Sequence, residues 1–134
     1  MIIRETKIRV CYADTDKMGV VYYGNYSRFY EIGRNELIRE IGLSYKNMEK
    51  EGILLPAKSL NINYIKSAYF DDLLTVRTII EKIPMVKFPI KTEIYNEKGE
   101  LINNGEVELA FFNKEKNKPC RPPREFIETL KRFF

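Results

Sequence analysis

The residues best suited to chemistry lie in the stretch 12–26, where Asp14 and Asp16 stand two residues apart ahead of an uncharged run rich in tyrosine. A helix that begins within this run would present unpaired N–H groups and a positive partial charge. Such groups could hold the carbonyl oxygen of a substrate as it gains negative charge. An aspartate on the other side of that carbonyl could attack it or draw a proton from an attacking water. The pattern therefore fits acyl transfer or hydrolysis.

The same stretch also fits a purely structural interpretation. Asp14, Thr15 and Asp16 ahead of a glycine are typical of turns, because short polar side chains bond nearby backbone N–H groups. The tyrosines that follow equally fit a helix start and a core face. Residue types and spacing leave both interpretations open.

The absence of histidine narrows the possible chemistry. With no histidine among 134 residues, the chain cannot build a Ser-His-Asp or Cys-His site, a His-ligated metal centre or a histidine acid/base pair. Cys11 and Cys120 lack CxxC spacing, so they are interpreted as isolated thiols. We therefore expect no metal site.

One long helix must position the candidate residues. Apolar residues recur at helical spacing after the first tyrosines, opposite a polar face that includes Arg28 and Arg39. The apolar positions are Tyr26, Phe29, Tyr30, Gly33, Leu37 and Ile41. Asn25 is a suitable N-cap and Gly42 a suitable stop, which predicts about 16 helical residues. Gly33 in mid-helix predicts close packing against another backbone.

Strand patterns make up most of the remaining chain. Residues 7–13 alternate as in a half-buried strand, and four more alternating runs follow the helix. Those runs lie at 60–64, 74–80, 88–94 and 101–111. Pro89 cannot donate to a ladder, which predicts an edge or a bulge at its strand. A final amphipathic helix is predicted within 124–134.

The order of these elements predicts the fold class. Short connections, including a hairpin loop at 96–99, favour an antiparallel sheet in meander-like order. A strongly curved sheet wrapped around the long helix would bury the wide apolar stripe of that helix. We therefore expect an α+β fold in one domain, residues 1–134.

The net charge of +4 is concentrated at the carboxyl end. Residues 113–134 hold 7 basic and 3 acidic residues, whereas residues 1–112 hold 16 of each. This tail fits either a solvated end or a surface that binds a phosphorylated ligand. Nucleic acid is a weaker alternative, because the aromatic residues of the tail follow helical spacing. No membrane span is expected, and a charged amino terminus disfavours a signal peptide, so a cytoplasmic location is expected.

The stretch from Arg9 to Arg34 resembles the signature of the 4-hydroxybenzoyl-CoA thioesterase family. The matching run reads Arg9-x-x-Tyr12-x-Asp14-Thr15-Asp16-x-x-Gly19-Val20-Val21-Tyr22-x-x-Asn25-Tyr26, followed by Phe29-Tyr30-Glu31 and Arg34. Within that family the chain is most similar to the Tol-Pal-associated bacterial acyl-CoA thioesterases. The resemblance implies a hotdog fold, in which an antiparallel sheet wraps one long central helix. It also implies hydrolysis of an acyl-CoA thioester to a free carboxylic acid and CoA.

The resemblance further implies roles for individual residues. Asp16 matches the catalytic carboxylate of the family, which acts as nucleophile or general base. Tyr23 matches the position at the helix start whose backbone N–H polarises the thioester carbonyl, where several close relatives have histidine. The residues expected to bind the substrate at the helix start are Tyr22, Asn25 and Tyr26.

Coenzyme A carries phosphates, which basic groups near the mouth of a pocket could bind. Lys58, Lys87 and Arg121 are the candidates for this contact. Coenzyme A is part of the substrate, so no separate cofactor is expected. Family members commonly form dimers or tetramers with sites at subunit boundaries, which implies a homo-oligomer.

Two other functions are compatible with the resemblance. One is a non-catalytic hotdog module that binds acyl-CoA or acyl carrier protein. The other is a hotdog dehydratase or hydratase, which the absence of histidine disfavours.

Overall fold

One long helix lies against a five-stranded antiparallel sheet in the computed structural model, which describes residues 1–134. The helix is α1 (Tyr26–Glu40). The strands of this sheet are β1 (Ile2–Arg9), β3 (Ala57–Tyr64), β4 (Leu73–Ile80), β5 (Lys87–Tyr95) and β6 (Leu101–Ala110), in the spatial order β1-β4-β5-β6-β3. The predicted α+β hotdog fold is confirmed.

A second, smaller sheet combines three strands of two residues each. These strands are β2 (Ile53–Leu54), β7 (Phe112–Asn113) and β8 (Lys118–Pro119). Two short helices, α2 (Tyr45–Lys50) and α3 (Arg124–Lys131), add Met48 and Phe126 to the buried cluster that contains Leu37 of α1. None of the helices has the length and apolar character that crossing a membrane would require.

The contact between α1 and β4 is close at Gly33. A Cβ atom at this position would lie 2.7 Å from both Thr78 Oγ1 and Val76 Cγ1, which is well inside van der Waals contact. Glycine therefore lets the two backbones approach, as its position in mid-helix predicted. The apolar stripe of α1 is buried at Tyr26, Phe29, Tyr30, Gly33, Leu37 and Ile38.

A buried hydrogen bond connects α1 to strand β6 of the sheet. The hydroxyl of Tyr30 donates to Asn103 Oδ1 of β6 at 2.7 Å, and neither residue is more than 1% exposed. Burial raises the pKa of Tyr30, so its hydroxyl remains a donor. Gly105 leaves room for this ring, because a Cβ there would lie 3.0 Å from the Tyr30 hydroxyl.

Several expectations about the strands were wrong. The order is not a simple meander, because β3 pairs with β6 at one edge whereas β4 pairs with β1. The strand that contains Pro89 is central in the sheet, but Pro89 itself lies at a local edge, as predicted. Pro89 is tolerated because β4 pairs with β5 only from Lys91 to Tyr95, so one side of Pro89 has no partner strand. The first strand ends at Arg9, and a 3-10 turn (Tyr12–Asp14) replaces its predicted last residues.

The close approach at Gly33 predicts that Gly33→Ala lowers the free energy of unfolding by about 1–3 kcal/mol, because the added methyl overlaps β4. This loss should occur even though alanine is the better helix former. Urea denaturation measures it. Ser27→Ala, on the exposed face of the same helix, is the matched control and should change the free energy by less than about 0.5 kcal/mol. A Gly33→Ala protein as stable as wild type would contradict the close approach.

Candidate active site

The loop between β1 and α1 folds back as a small hairpin. Thr15 and Val21 form an isolated antiparallel bridge, and the N–H of Asp16 donates to the carbonyl of Val20 at 2.9 Å. Gly19 closes the turn, because its N–H donates to the carbonyl of Asp16 at 3.0 Å and its φ is +78°. A positive φ of this size favours glycine. Asp16 is thereby held at the start of a defined turn.

The carboxylate of Asp16 is exposed, and the turn uses only one of its oxygens. Oδ1 accepts the N–H of Met18 at 2.8 Å, as in an Asx turn. Oδ2 makes no hydrogen bond or ion pair within the chain. The turn interpretation and the catalytic interpretation are therefore compatible, since one oxygen orients the side chain while the other can meet a substrate.

A 3-10 turn (Tyr23–Asn25) leads directly into α1. The N–H groups of Asn25 and Tyr26 donate to the carbonyls of Tyr22 and Tyr23. Tyr23 lies ahead of these two donors in the chain, and its own N–H has no acceptor within the turn. Unpaired N–H groups at a helix start carry a positive partial charge. The N–H of Tyr23 is therefore suited to an oxygen that gains negative charge.

Asp16 and Tyr23 line the same open cleft, which has a volume of about 390 Å³. Its walls come from three segments of the chain. They are the hairpin (Asp16, Val20 and Val21), the helix start (Tyr23 and Tyr26) and residues 64–67 at the end of β3. The cleft is thus lined by the residue with the free carboxylate oxygen, by the residue whose N–H begins the helix start, and mostly by apolar side chains.

Three tyrosines form one wall of this cleft. The ring of Tyr64 lies edge-on to Tyr23 at a centroid distance of 6.2 Å, and 5.8 Å from Tyr26. The hydroxyl of Tyr64 donates to the carbonyl of Tyr23 at 3.3 Å. Burial raises the pKa of Tyr26 to about 12, so its hydroxyl stays protonated at neutral pH. The wall combines flat apolar rings with hydroxyl groups.

Asp14 joins the hairpin to the helix start. Its buried carboxylate accepts a hydrogen bond from the guanidinium of Arg28 at 2.5 Å and from the N–H of Cys11 at 2.8 Å. Its backbone carbonyl accepts the N–H of Tyr22 and the side-chain amide of Asn25, both at 2.9 Å. These four contacts hold the two sides of the cleft together.

Five of the residues singled out in the sequence lie at the hairpin or the helix start. Asp16, Tyr23 and Tyr26 line the cleft. Tyr22 packs against Tyr23 with a centroid distance of 4.7 Å and lies outside the lining. Asn25 occupies the predicted N-cap position of α1, but its side chain donates to the carbonyl of Asp14 in place of a capping bond.

The three basic candidates for phosphate binding lie at the other end of the sheet. Lys58 precedes Tyr64 by six positions in β3, or about 20 Å of extended strand. Lys87 and Arg121 lie near residues 110–111, which follow the part of β6 that pairs with the amino end of β3. A single chain therefore does not bring these residues to the cleft.

Sequence reasoning missed Arg28 and most of residues 64–67. Arg28 was assigned to the solvated face of the helix, and its partner Asp14 is 14 residues away. Lys66 and Ser67 follow a strand in a loop without a recognisable motif. The contact between Tyr64 and Tyr23 spans 41 residues, so no local spacing could indicate it. No three acidic or cysteine side chains are grouped closely enough to hold a metal ion.

Comparisons with known proteins place the chain among related sequences and structures. Residues 10–130 match the model of the Thioesterase-like superfamily. YneP from Bacillus subtilis is 36% identical over 126 residues, covering 94% of this chain and 91% of YneP. The acyl-CoA thioester hydrolase YbgC from Escherichia coli is 30% identical over 124 residues, covering 92% of each protein. The structure of a DHNA-CoA thioesterase from Staphylococcus aureus has a TM-score of 0.93 at 40% identity, covering 99% of this chain and 91% of that one.

The raised pKa of Tyr26 predicts how stability changes in alkali. Because the folded pKa of about 12 lies above the ordinary tyrosine value of 10.0, the unfolded chain loses this proton first as pH rises. The contribution of Tyr26 to stability is therefore complete below pH 10 and is lost between about pH 10 and 12. Urea denaturation from pH 9 to 11 should show a shallower decline for Tyr26→Phe than for wild type. Tyr12→Phe, at a residue that is 74% exposed, should keep the slope of wild type. Equal slopes for wild type and Tyr26→Phe would contradict the assignment.

Proposed function

The chain belongs to the Thioesterase-like superfamily, and from this premise we propose that it hydrolyses the thioester of an acyl-CoA to a carboxylic acid and CoA. Its likeness to YbgC, which is named an acyl-CoA thioester hydrolase, supports this activity. One observation carries the proposal for the site: Asp16, whose Oδ2 has no partner within the chain, and Tyr23, whose N–H begins the turn into α1, line the same cleft. Coenzyme A enters as part of the substrate, and no further cofactor is proposed.

The proposed chemistry begins with the thioester carbonyl between these two groups. The N–H of Tyr23 donates to the carbonyl oxygen and stabilises the negative charge that develops there. The role of Tyr23 belongs to its backbone, so it does not require the imidazole that histidine would supply.

The carboxylate of Asp16 supplies the other half of the reaction by one of two routes. As general base, it takes a proton from water while the water oxygen bonds to the carbonyl carbon. As nucleophile, its oxygen bonds to that carbon first, and water then hydrolyses the resulting anhydride. In both routes the carbon–sulfur bond breaks, and the CoA sulfur leaves as a thiolate that takes up a proton.

We infer that a planar aromatic acyl group suits the tyrosine wall best. The rings of Tyr23, Tyr26 and Tyr64 offer flat apolar surface for stacking or edge-on contact. The exposed ring of Tyr64 also carries a hydroxyl group at the edge of the cleft. The 40% identity to a DHNA-CoA thioesterase supports an acyl group of this kind.

We also propose that the chain forms a homo-oligomer through β3. Leu60 lies opposite Val107, on the face of the sheet that α1 covers elsewhere, yet Leu60 is 44% exposed. Tyr64 and Ile65 at the end of β3 are each 52% exposed. β3 is also an edge strand, with one free row of backbone groups. A second copy would cover both the side chains and the edge.

Such pairing would change what can reach the cleft. If two β3 strands pair antiparallel about a twofold axis, the amino end of one strand lies beside the carboxyl end of the other. Lys58 of one copy then approaches the cleft of the next copy. The proposed oligomer would therefore let Lys58 bind CoA phosphates at the cleft of the other copy, whereas the same role for Lys87 and Arg121 stays a prediction from the sequence.

Asp16→Asn tests the proposed chemistry. The amide oxygen of asparagine can still accept the N–H of Met18, so the turn should survive while the reactive carboxylate is lost. We expect kcat for thiol release from acyl-CoAs to fall by about 10²-fold or more. The panel should include aromatic and straight-chain acyl groups, with kcat/KM highest for aromatic ones.

Asp71→Asn is the matched control, because Asp71 is exposed and its φ of +68° is one that asparagine also adopts. It should keep the activity of wild type. Unchanged activity in Asp16→Asn would exclude Asp16 as the catalyst. Tight binding of acyl-CoA by wild type without hydrolysis of any member of the panel would favour the non-catalytic binding module instead.

Leu60→Lys tests the oligomer. Light scattering of wild type should give two or four times the chain mass of 15.9 kDa. A charge at the centre of the paired face should shift Leu60→Lys towards monomer. Asn61→Lys places the same charge on the opposite face of the same strand and should keep the mass of wild type. A monomeric wild type would rule out the proposed pairing.

A further inference from the structure

We propose that Arg28 is a positioning residue, which holds Asp14 and through it the distance between the Asp16 carboxylate and the Tyr23 N–H. This inference rests on the proposed function, because it concerns how that catalytic pair is aligned. Arg28 does not line the cleft, so it is assigned no contact with the substrate.

The pair of Arg28 and Asp14 differs from the other ion pairs of the protein. The Asp14 side chain is 7% exposed, whereas in the six other pairs both side chains are at least 31% exposed. Exposed pairs hold little structure in place, because water and salt compete for both charges. A buried carboxylate, in contrast, is costly unless a cation or several donors satisfy it. The Arg28 side chain is 53% exposed, but it supplies the only cation that pairs with this buried carboxylate, whose other donor is the N–H of Cys11.

Asp14 in turn connects directly to both members of the proposed catalytic pair. It precedes Asp16 by two residues in the hairpin. Its carbonyl accepts the N–H of Tyr22, the residue immediately before Tyr23. A shift of Asp14 therefore moves the hairpin and the helix start relative to each other. Misplacement by about 1 Å is enough to cost a reaction about 10²-fold in rate.

Arg28 is itself anchored to a rigid element. It lies in the first turn of α1, next to Phe29, which is fully buried between helix and sheet. The guanidinium carbon lies 5.2 Å from the centroid of the Phe29 ring, in a cation–π contact. One end of the guanidinium reaches Asp14 at 2.5 Å. We call the contact between Arg28 and Asp14 the clamp. Because α1 is held rigidly by the core, the clamp also fixes the loop that carries Asp16.

Arg28→Ala tests this role in the full-length protein. We expect kcat to fall about 10- to 100-fold while KM changes less than about threefold, because alignment is lost and the binding surface remains. Arg28→Lys should recover part of kcat, since it restores the charge without the planar fork. Millimolar guanidinium chloride should raise kcat of Arg28→Ala and leave that of wild type unchanged.

Arg39→Ala is the matched control. Arg39 lies on the same helix and pairs at 2.6 Å with Glu36, and both side chains are more than half exposed. Its kcat should equal that of wild type, with no response to guanidinium. A wild-type kcat in Arg28→Ala would overturn the proposal. The proposal would also be overturned if neither Arg28→Lys nor guanidinium restored kcat and Arg28→Ala at the same time lowered the free energy of unfolding, because the residue would then be purely structural.

Amide hydrogen exchange separates this proposal from the proposed function. Asp14 accepts the N–H groups of Cys11 and Tyr22, so both amides should exchange faster in Arg28→Ala and not in Arg39→Ala. If wild type had no thioesterase activity, only the proposed function would be refuted. The exchange rates would still test whether Arg28 holds Asp14 in place. Unchanged exchange at both amides would overturn the clamp, whatever the activity.

Discussion

The packing of α1 against β4 is the contact on which the rest of the site depends. Gly33 removes the side chain that would hold the two elements apart, since a Cβ there would lie 2.7 Å from Thr78 and Val76. The apolar face of the helix can then reach the sheet, and close packing leaves it little freedom to move. A helix of 15 residues carries that position to its amino end. The N–H of Tyr23 is therefore placed by the core of the protein.

The loop that carries Asp16 is positioned by polar contacts instead. It is largely exposed, so hydrogen bonds rather than apolar burial decide its conformation. Asp14 collects four of these bonds and is itself buried, which makes the loop dependent on a few directional contacts. In the proposed site, apolar packing therefore holds Tyr23, whereas charge and hydrogen bonds hold Asp16. In a chain without histidine, this arrangement would let one exposed carboxylate and one backbone dipole act together.

The edge at β3 links the site to the proposed assembly. Tyr64 ends that strand and contributes to the cleft, while Leu60 on the same strand lacks the cover that α1 gives to the central strands. Apolar surface of this kind beside a free strand edge is typical of an interface. The basic residues Lys58 and Lys87 lie too far along the sheet to serve the cleft of their own chain. A second copy would cover β3 and, in the proposed pairing, would also bring its Lys58 towards the cleft.

The sequence by itself determined the long helix and most strands, because these follow from one-sided burial and from contacts within a few residues. The roles of Asp16 and Tyr23 came from the resemblance to a known family and remain a prediction. It did not indicate the order of the strands or the place of Pro89 in a central strand, since ladder partners are remote along the chain. Only the tertiary structure decided that Tyr64 joins the cleft and that Arg28 binds Asp14. Those contacts span 41 and 14 residues, and they form only once the helix and the sheet have packed together.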